Sequence, residues 1–200
     1  MSPLKQRFQI LSLRGVPPGG TTKQSSWIAT SASAVARFAH LAVLLASLMG
    51  AGAAQAQIKS GDAFPSLADA GLSGGAVPAT AGQVVLVDFW ASWCAPCKAS
   101  FPAMARLHAD YGSRGLVIVA VSVDDKPAAY ETFVKKLAPP FVTVLDGGKK
   151  LVREVKAPAM PTSYLIGRDG KVRFVHPGFH GDETDRQLRQ QIDALLAEKI

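Results

Sequence analysis

Val84-Val85-Leu86-Val87-Asp88-Phe89-Trp90-Ala91-Ser92-Trp93-Cys94-Ala95-Pro96-Cys97 is the stretch on which the reading of the fold turns. Its first half is β-rich and apolar at nearly every position, which predicts a strand buried on both faces. The strand delivers Cys94 and Cys97, the only two cysteines of the 200 residues, to the predicted first turn of a helix. Two thiols so spaced at a helix start can close a small disulfide and reopen it. A thiol attacks a disulfide only as thiolate, and unpaired N–H groups and the dipole at a helix N-terminus lower its pKa. Cys94 is therefore expected to be the exposed nucleophile. Cys97, one turn on and more buried, is expected to resolve the mixed disulfide.

The pattern after this stretch alternates helix and strand. Cys94 to about Tyr111 reads as a helix, with Pro102 predicted to kink it. Leu116 to Val123 reads as a second buried strand, and Pro127 to Leu137 as a helix with proline in its first turn. Phe141 to Leu145 is a short strand, and Gly147 to Val155 has room for a short helix. Thr162 to Ile166 and Val172 to Val175 flank Gly167-Arg168-Asp169-Gly170, a hairpin signal. A last helix is expected from about Thr184 to Lys199, with Leu188, Ile192, Leu195 and Leu196 as its apolar stripe. Thr184 and Gln187 are expected to form a capping box. The order is that of a three-layer α/β domain with parallel strands closed by an antiparallel hairpin.

The charge is unevenly placed. Residues 1–56 contain Lys5, Arg7, Arg14, Lys23 and Arg37 and no acid, so the net +7 of the chain leaves only +2 for residues 57–200. That balance gives no case for nucleic-acid binding. Leu41 to Met49 is a short apolar core, and Ala54-Gln55-Ala56 supplies a small-x-small pattern. Residues 1–56 are thus read as a signal peptide, with cleavage after Ala56. This leader is longer than usual, and a start near Val35 would shorten it. A transit peptide and an uncleaved inner-membrane anchor are the alternatives, the anchor disfavoured because the apolar run falls short of ~20 residues. Residues 57–200 are expected to form one domain.

Several side chains invite chemistry. Asp88 lies mid-strand, where an ionised carboxylate is costly unless paired or neutral. It is read as the proton acceptor for Cys97, against the alternative of a structural Asp paired with a distant lysine such as Lys149. Trp93 is expected to make an apolar rim for a protein substrate, and Trp90 to pack in the core. Neither Ala95 nor Pro96 can donate to the thiolate as an intervening His would, which favours a reducing pair. Met160-Pro161 precedes a strand, where proline is often a turn residue. Lys98 is read as surface cover, His108 as solvated, and His176 and His180 as hairpin-end residues. A zinc site is disfavoured. Four ligands would be needed, and 78 residues separate Cys97 from His176, against about 12–15 in a zinc finger.

The segment Val87 to Lys98 resembles the thioredoxin active-site signature almost throughout, with Ala-Pro where Gly-Pro is usual. Pro102 falls where that family has its helix-kinking proline, and Met160-Pro161-Thr162 where it has its cis-proline. The Gly61-x-x-x-Pro65 and Val121-Ser122-Val123-Asp124-Asp125 segments are similar to the TlpA/ResA-like branch. The resemblance implies a thioredoxin-like three-layer α/β/α fold with a central mixed sheet, and an extra central segment over residues 127–155. It implies a cis Met160-Pro161 bond, and a substrate-binding surface of Trp93, Ala95, Pro96, Met160 and Pro161. It further implies a periplasmic thiol-disulfide oxidoreductase that reduces client disulfides, for example in cytochrome c maturation. Its electrons would come from a membrane donor of DsbD/CcdA type. No cofactor or metal is expected beyond a redox-active Cys94–Cys97 disulfide. The rival readings are a disulfide oxidant or isomerase of the same fold, a copper-site assembly module, and a thiol peroxidase. The last is disfavoured because position 91 is Ala and not the Thr of a Thr-x-x-Cys motif.

Overall fold

Seven consecutive buried residues make β1 (Val84–Trp90), and only a strand covered on both faces can carry such a run. A computed structural model describes residues 56–198, so the leader assigned to residues 1–56 lies, but for Ala56, outside the described residues. After β1 come α1 (Ala95–Tyr111), β2 (Leu116–Ser122), α2 (Pro127–Leu137), β3 (Val142–Leu145) and α3 (Lys150–Val155). The chain ends with β4 (Thr162–Ile166), β5 (Val172–Pro177) and α4 (Asp182–Ala197). Among the described residues no helix is long and apolar enough to cross a membrane.

The sheet runs β3-β2-β1-β4-β5, with β1 at its centre. β1 pairs in parallel with β2 from Val84↔Leu116 to Trp90↔Ser122, and β2 in parallel with β3. β4 lies antiparallel to β1, with Asp88 opposite Ser163 and Phe89 opposite Thr162. β5 returns antiparallel to β4 through the expected turn, where Gly170 takes φ +76°, a conformation that costs glycine little. The mixed sheet and the element order anticipated from the sequence are both present.

The pleat of β1 sends alternate side chains into two cores. On one side Trp90 meets Phe101 of α1 and Phe133 of α2, with ring centroids 4.9 and 4.6 Å apart. Phe101 and Phe133 themselves pack edge to face at 5.2 Å. Each such pair adds about 0.5–1.5 kcal/mol beyond its area. α4 joins this layer beside α1, where Tyr111 donates to Asp193 and Arg189 pairs with Asp110 at 2.7 Å. On the other side Phe89 and Phe64 close on Tyr164 of β4. Burial there pushes the Tyr164 phenol up to about 12. The entry segment also holds this layer: the Ile58 N–H donates to the Val155 carbonyl at the end of α3.

Two local expectations are corrected. The last helix starts at Asp182, with Gly181 at the cap position and no side-chain cap bond, so Thr184 and Gln187 do not form a capping box. The Thr184 hydroxyl, buried inside the first turn, instead accepts the His180 N–H at 3.0 Å, and Gln187 donates to Glu183. Asp182, Glu183 and Asp185 crowd that first turn and complement the helix dipole, which is why the helix begins earlier than a Thr cap would place it. His108 is half-buried and not solvated, its ring set against Phe141 and its Nδ1 buried without a partner among the described residues.

Candidate functional site

The site forms where β1 ends and α1 begins. Cys94 is the N-cap residue of α1, in extended conformation (φ −84°, ψ 109°), and Pro96 occupies the first turn. The Cys97 N–H points at Cys94 Sγ from 3.2 Å, so a first-turn amide serves the sulfur. This is the arrangement expected to stabilise a thiolate at Cys94. The two sulfurs are joined in a disulfide with Cα atoms 5.3 Å apart.

Burial corrects one expectation. Cys94 is only 5% exposed and Cys97 fully buried. The order of access is as anticipated, but Cys94 is no exposed residue. The cause is local: its Sγ is turned inward to Cys97, while Trp93, Ala95 and Pro96 take the outer surface. Trp93 is 67% exposed, a large apolar ring presented to solvent beside the sulfurs. Trp90, by contrast, is entirely buried, as its aromatic contacts require.

Cys97 begins the buried face of α1, which continues through Phe101, Met104, Leu107 and Tyr111. Phe101 lies one turn beyond Cys97 and packs on Trp90. Asp88 shares the Trp90 face of β1, two residues back, so strand and helix turn Asp88 and Cys97 toward the same layer. Asp88 is 1% exposed. Ser163 Oγ donates to its Oδ1 at 2.5 Å, while Oδ2 is buried with no partner among the described residues. Desolvation pushes the carboxyl up to about 7, and the Ser163 bond offsets this only in part. The lysine-paired alternative does not hold: Lys149 Nζ goes to the Asp124 carbonyl at 2.8 Å and to Asp125 at 3.1 Å.

Met160-Pro161 is a cis peptide immediately before β4. Because Thr162 pairs with Phe89, this bond lies at the same end of the sheet as the cysteines. Met160 is half-buried, Pro161 is buried, and the Pro161 carbonyl accepts the Gly178 N–H at 2.7 Å. Lys98 is exposed, as read from the sequence. His176 pairs with Ser163 across β4 and β5, and His180 follows three residues past β5, so both lie toward the same end of the sheet as the cysteines, with His176 Nε2 against Gln191 at 2.7 Å.

Sequence reasoning missed three residues here. Ser163, which donates to Asp88, is a small polar residue inside an apolar strand, a signal visible only once the β1–β4 register is known. Asp124 is 2% exposed and accepts from Ser92 and Ser122. Asp146, 1% exposed, accepts the N–H groups of Lys150 and Val152 at 2.9 Å and so caps α3. Its place just after an apolar strand and before a helical pattern was the available sign.

The arrangement suits dithiol–disulfide exchange, and known proteins agree with it. The Redoxin family profile matches residues 59–192. The thiol-disulfide oxidoreductase ResA of Bacillus thuringiensis subsp. konkukian is 32% identical over 114 residues, covering 57% of this chain and 64% of ResA. ResA of Bacillus subtilis is 37% identical over 97 residues, 48% of this chain and 54% of ResA. The chain thus spans less than two thirds of the length of these relatives. The crystal structure of a Chlorobium tepidum protein described as a thiol:disulfide interchange protein DsbE superposes with a TM-score of 0.64. It is 35% identical and covers 70% of this chain and all of that one. With that profile over most of its length, these relatives and this fold, the chain belongs to the Redoxin family, in its thioredoxin-fold, TlpA/ResA-like branch.

Proposed function

We propose that this protein is an exported thiol-disulfide oxidoreductase that reduces disulfides of client proteins. The observation that carries the reading is the Cys94–Cys97 disulfide at the start of α1, with the Cys97 amide on Cys94 Sγ. The names of the ResA relatives point to the same chemistry. The pair carries two electrons itself, with no cofactor. In the reduced protein the Cys94 thiolate attacks one sulfur of a client disulfide. A mixed disulfide forms and the other client sulfur leaves as thiolate, taking a proton from solvent. Cys97 then gives its proton to Asp88 and attacks Cys94 Sγ. The second client thiolate leaves, and the Cys94–Cys97 disulfide is restored. The second client thiolate takes a proton from solvent and Asp88 releases the Cys97 proton to solvent, so the client gains two electrons and two protons while the protein gives up two electrons and the Cys97 proton.

Trp93, Ala95 and Pro96 form the outer surface over the sulfurs, and with Met160 and Pro161 they make the contact face for the client. An oxidising compartment closes the Cys pair, so sustained reduction needs a donor. A membrane carrier of DsbD/CcdA type is the reading we adopt, with cytochrome c haem-attachment thiols as clients. The periplasm is the compartment, on the strength of the Leu41–Met49 core and the Ala54-Gln55-Ala56 pattern.

The test is the reduction potential of the pair in glutathione or dithiothreitol buffers, read by mass spectrometry after thiol trapping. A potential near −270 mV or below, about that of thioredoxin, supports the reductase. A value near about −120 mV assigns an oxidant. Absence of a reversible couple sinks the redox assignment.

A further inference from the structure

Asp124 is a buried carboxylate that the exchange chemistry does not use. It lies just beyond β2, two residues past Ser122, and is 2% exposed. The Ser92 N–H is shared between its two oxygens, at 3.1 Å each. Ser92 Oγ donates to Oδ1 at 2.8 Å and Ser122 Oγ to Oδ2 at 2.8 Å. The Asp124 N–H returns to Ser122 Oγ at 3.0 Å. Every group on the carboxylate is a donor, and both oxygens are satisfied. A buried carboxylate so paired rigidifies whatever it holds.

What it holds is the turn that aims Cys94. Three successive groups of this turn are fixed. The Trp90 carbonyl accepts the Val123 N–H at 2.8 Å, the Ala91 carbonyl accepts the Cys94 N–H at 3.1 Å, and Ser92 is bound to Asp124. Lys149 Nζ secures the Asp124 main chain from behind, through its carbonyl and the Asp125 carboxylate. Cys94 follows Ser92 by two residues, and its Sγ sits over the Cys97 amide.

We infer that Asp124 is a positioning residue for the redox pair, acting through Ser92 to hold Cys94 Sγ within closing reach of Cys97. The inference rests on the reading of the pair as a thiol–disulfide couple. A disulfide requires both sulfurs in one geometry, whereas two thiols tolerate a looser turn. Loosening Ser92 therefore disfavours the disulfide more than the dithiol and makes the potential less negative. It also carries Cys94 Sγ off the Cys97 amide, so the reduced thiol reacts more slowly at neutral pH, and this lost support of the thiolate offsets part of the shift in potential.

The experiment compares the full chain with Asp124→Asn, Ser92→Ala and Ser122→Ala. Three readouts are taken: the equilibrium with glutathione, the alkylation rate of Cys94 by iodoacetamide in the chemically reduced protein, and urea stability. Asp124→Asn and Ser92→Ala are expected to shift the glutathione equilibrium toward dithiol about tenfold, which is about 30 mV for a two-electron couple. Both are expected to slow Cys94 alkylation. Ser122→Ala removes bonds to Asp124 but leaves the Ser92 bonds in place, so it is expected to lower stability and to move both redox readouts far less than Ser92→Ala does. The inference is overturned if Asp124→Asn and Ser92→Ala fold and equilibrate as wild type, or if Ser122→Ala shifts the equilibrium as far as they do. Should Asp124→Asn not fold, the contrast of Ser92→Ala with Ser122→Ala decides. A wild-type pair that never exchanges with glutathione would refute the proposed activity instead, and the alkylation rates would still judge the role of Asp124.

Discussion

Replacing Asp88 by Asn makes the protein more stable at neutral and alkaline pH, because the native fold holds this carboxyl where its charge is unwelcome. The side chain is 1% exposed, one oxygen has a single donor in Ser163, and the other has none. Its pKa rises from 3.8 to about 7. The native state therefore binds a proton that the unfolded chain releases between these values. For a group whose folded pKa is raised, the stabilising contribution is complete below pH 3.8 and is lost as pH rises through about 7. About three units at 1.36 kcal/mol each amount to about 4 kcal/mol of native stability forfeited by pH 8. Asn keeps an acceptor for Ser163 and never ionises, so it is spared the loss.

The assay is urea unfolding of the oxidised wild type and Asp88→Asn at steps from pH 4 to 9. Near pH 4 the two midpoints are expected to lie close together. The advantage of the variant is expected to grow by about 1.4 kcal/mol per pH unit toward pH 7 and to level off above it. In thermal melts about 4 kcal/mol corresponds to roughly 8–16 °C for a domain of this size. A difference between the proteins that is flat from pH 4 to 9 would refute the reasoning, since it would place the carboxyl at its ordinary pKa despite its burial.

The same residue sets a kinetic expectation: release of the mixed disulfide accelerates as pH rises through about 7 in the wild type and loses that dependence in Asp88→Asn, measured by stopped-flow with a model disulfide. Cys97→Ser is expected to accumulate a covalent complex with client through Cys94, visible on non-reducing gels, while Cys94→Ser accumulates none. Trp93→Ala, which removes a ring that is 67% exposed, is expected to raise KM for protein disulfides about tenfold and leave the glutathione equilibrium unchanged. Asp146→Ala leaves the Lys150 and Val152 N–H groups without their acceptor and is expected to cost about 2 kcal/mol in urea unfolding, with the redox equilibrium unmoved.

The legible parts of this protein were those where one local signal and one fold-level demand coincide. β1 was readable because a run of seven buried residues has few other uses, and α1 because Pro96 and the apolar positions from Cys97 to Tyr111 share a helical period. The Gly167–Gly170 turn was readable because its glycines sit between two β-rich runs. The start of α4 was misread because Thr184 and Gln187 have the spacing of a cap, while the acidic first turn that begins at Asp182 carries no periodic mark. Cys94 was expected to be exposed because helix position fixes its electrostatics but not its cover. That cover comes from its bond to Cys97 and from the neighbours that take the outer surface.

Asp88 and Asp124 show where sequence patterning stops and pairing takes over. Asp88 lies inside the apolar β1 and Asp124 just past β2, and both are nearly inaccessible. Asp124 meets three donor groups through four contacts, while Asp88 meets one donor and leaves an oxygen bare. A fully satisfied buried carboxylate stiffens its surroundings, and a half-satisfied one stores an unfavourable charge that a proton relieves. The first property is what a turn aiming a nucleophile requires, and the second is what a proton acceptor working near neutral pH requires. The two acids are alike in type and burial, so the donors each one finds divide the roles: Ser163 from β4 for one, Ser92 in the turn and Ser122 at the end of β2 for the other. Exchanging those donor sets is therefore expected to matter more than exchanging the acids. Ser163→Ala, which strips Asp88 of its side-chain bond, is expected to raise the carboxyl further and move the pH midpoint of mixed-disulfide release upward, since that bond holds it down against desolvation.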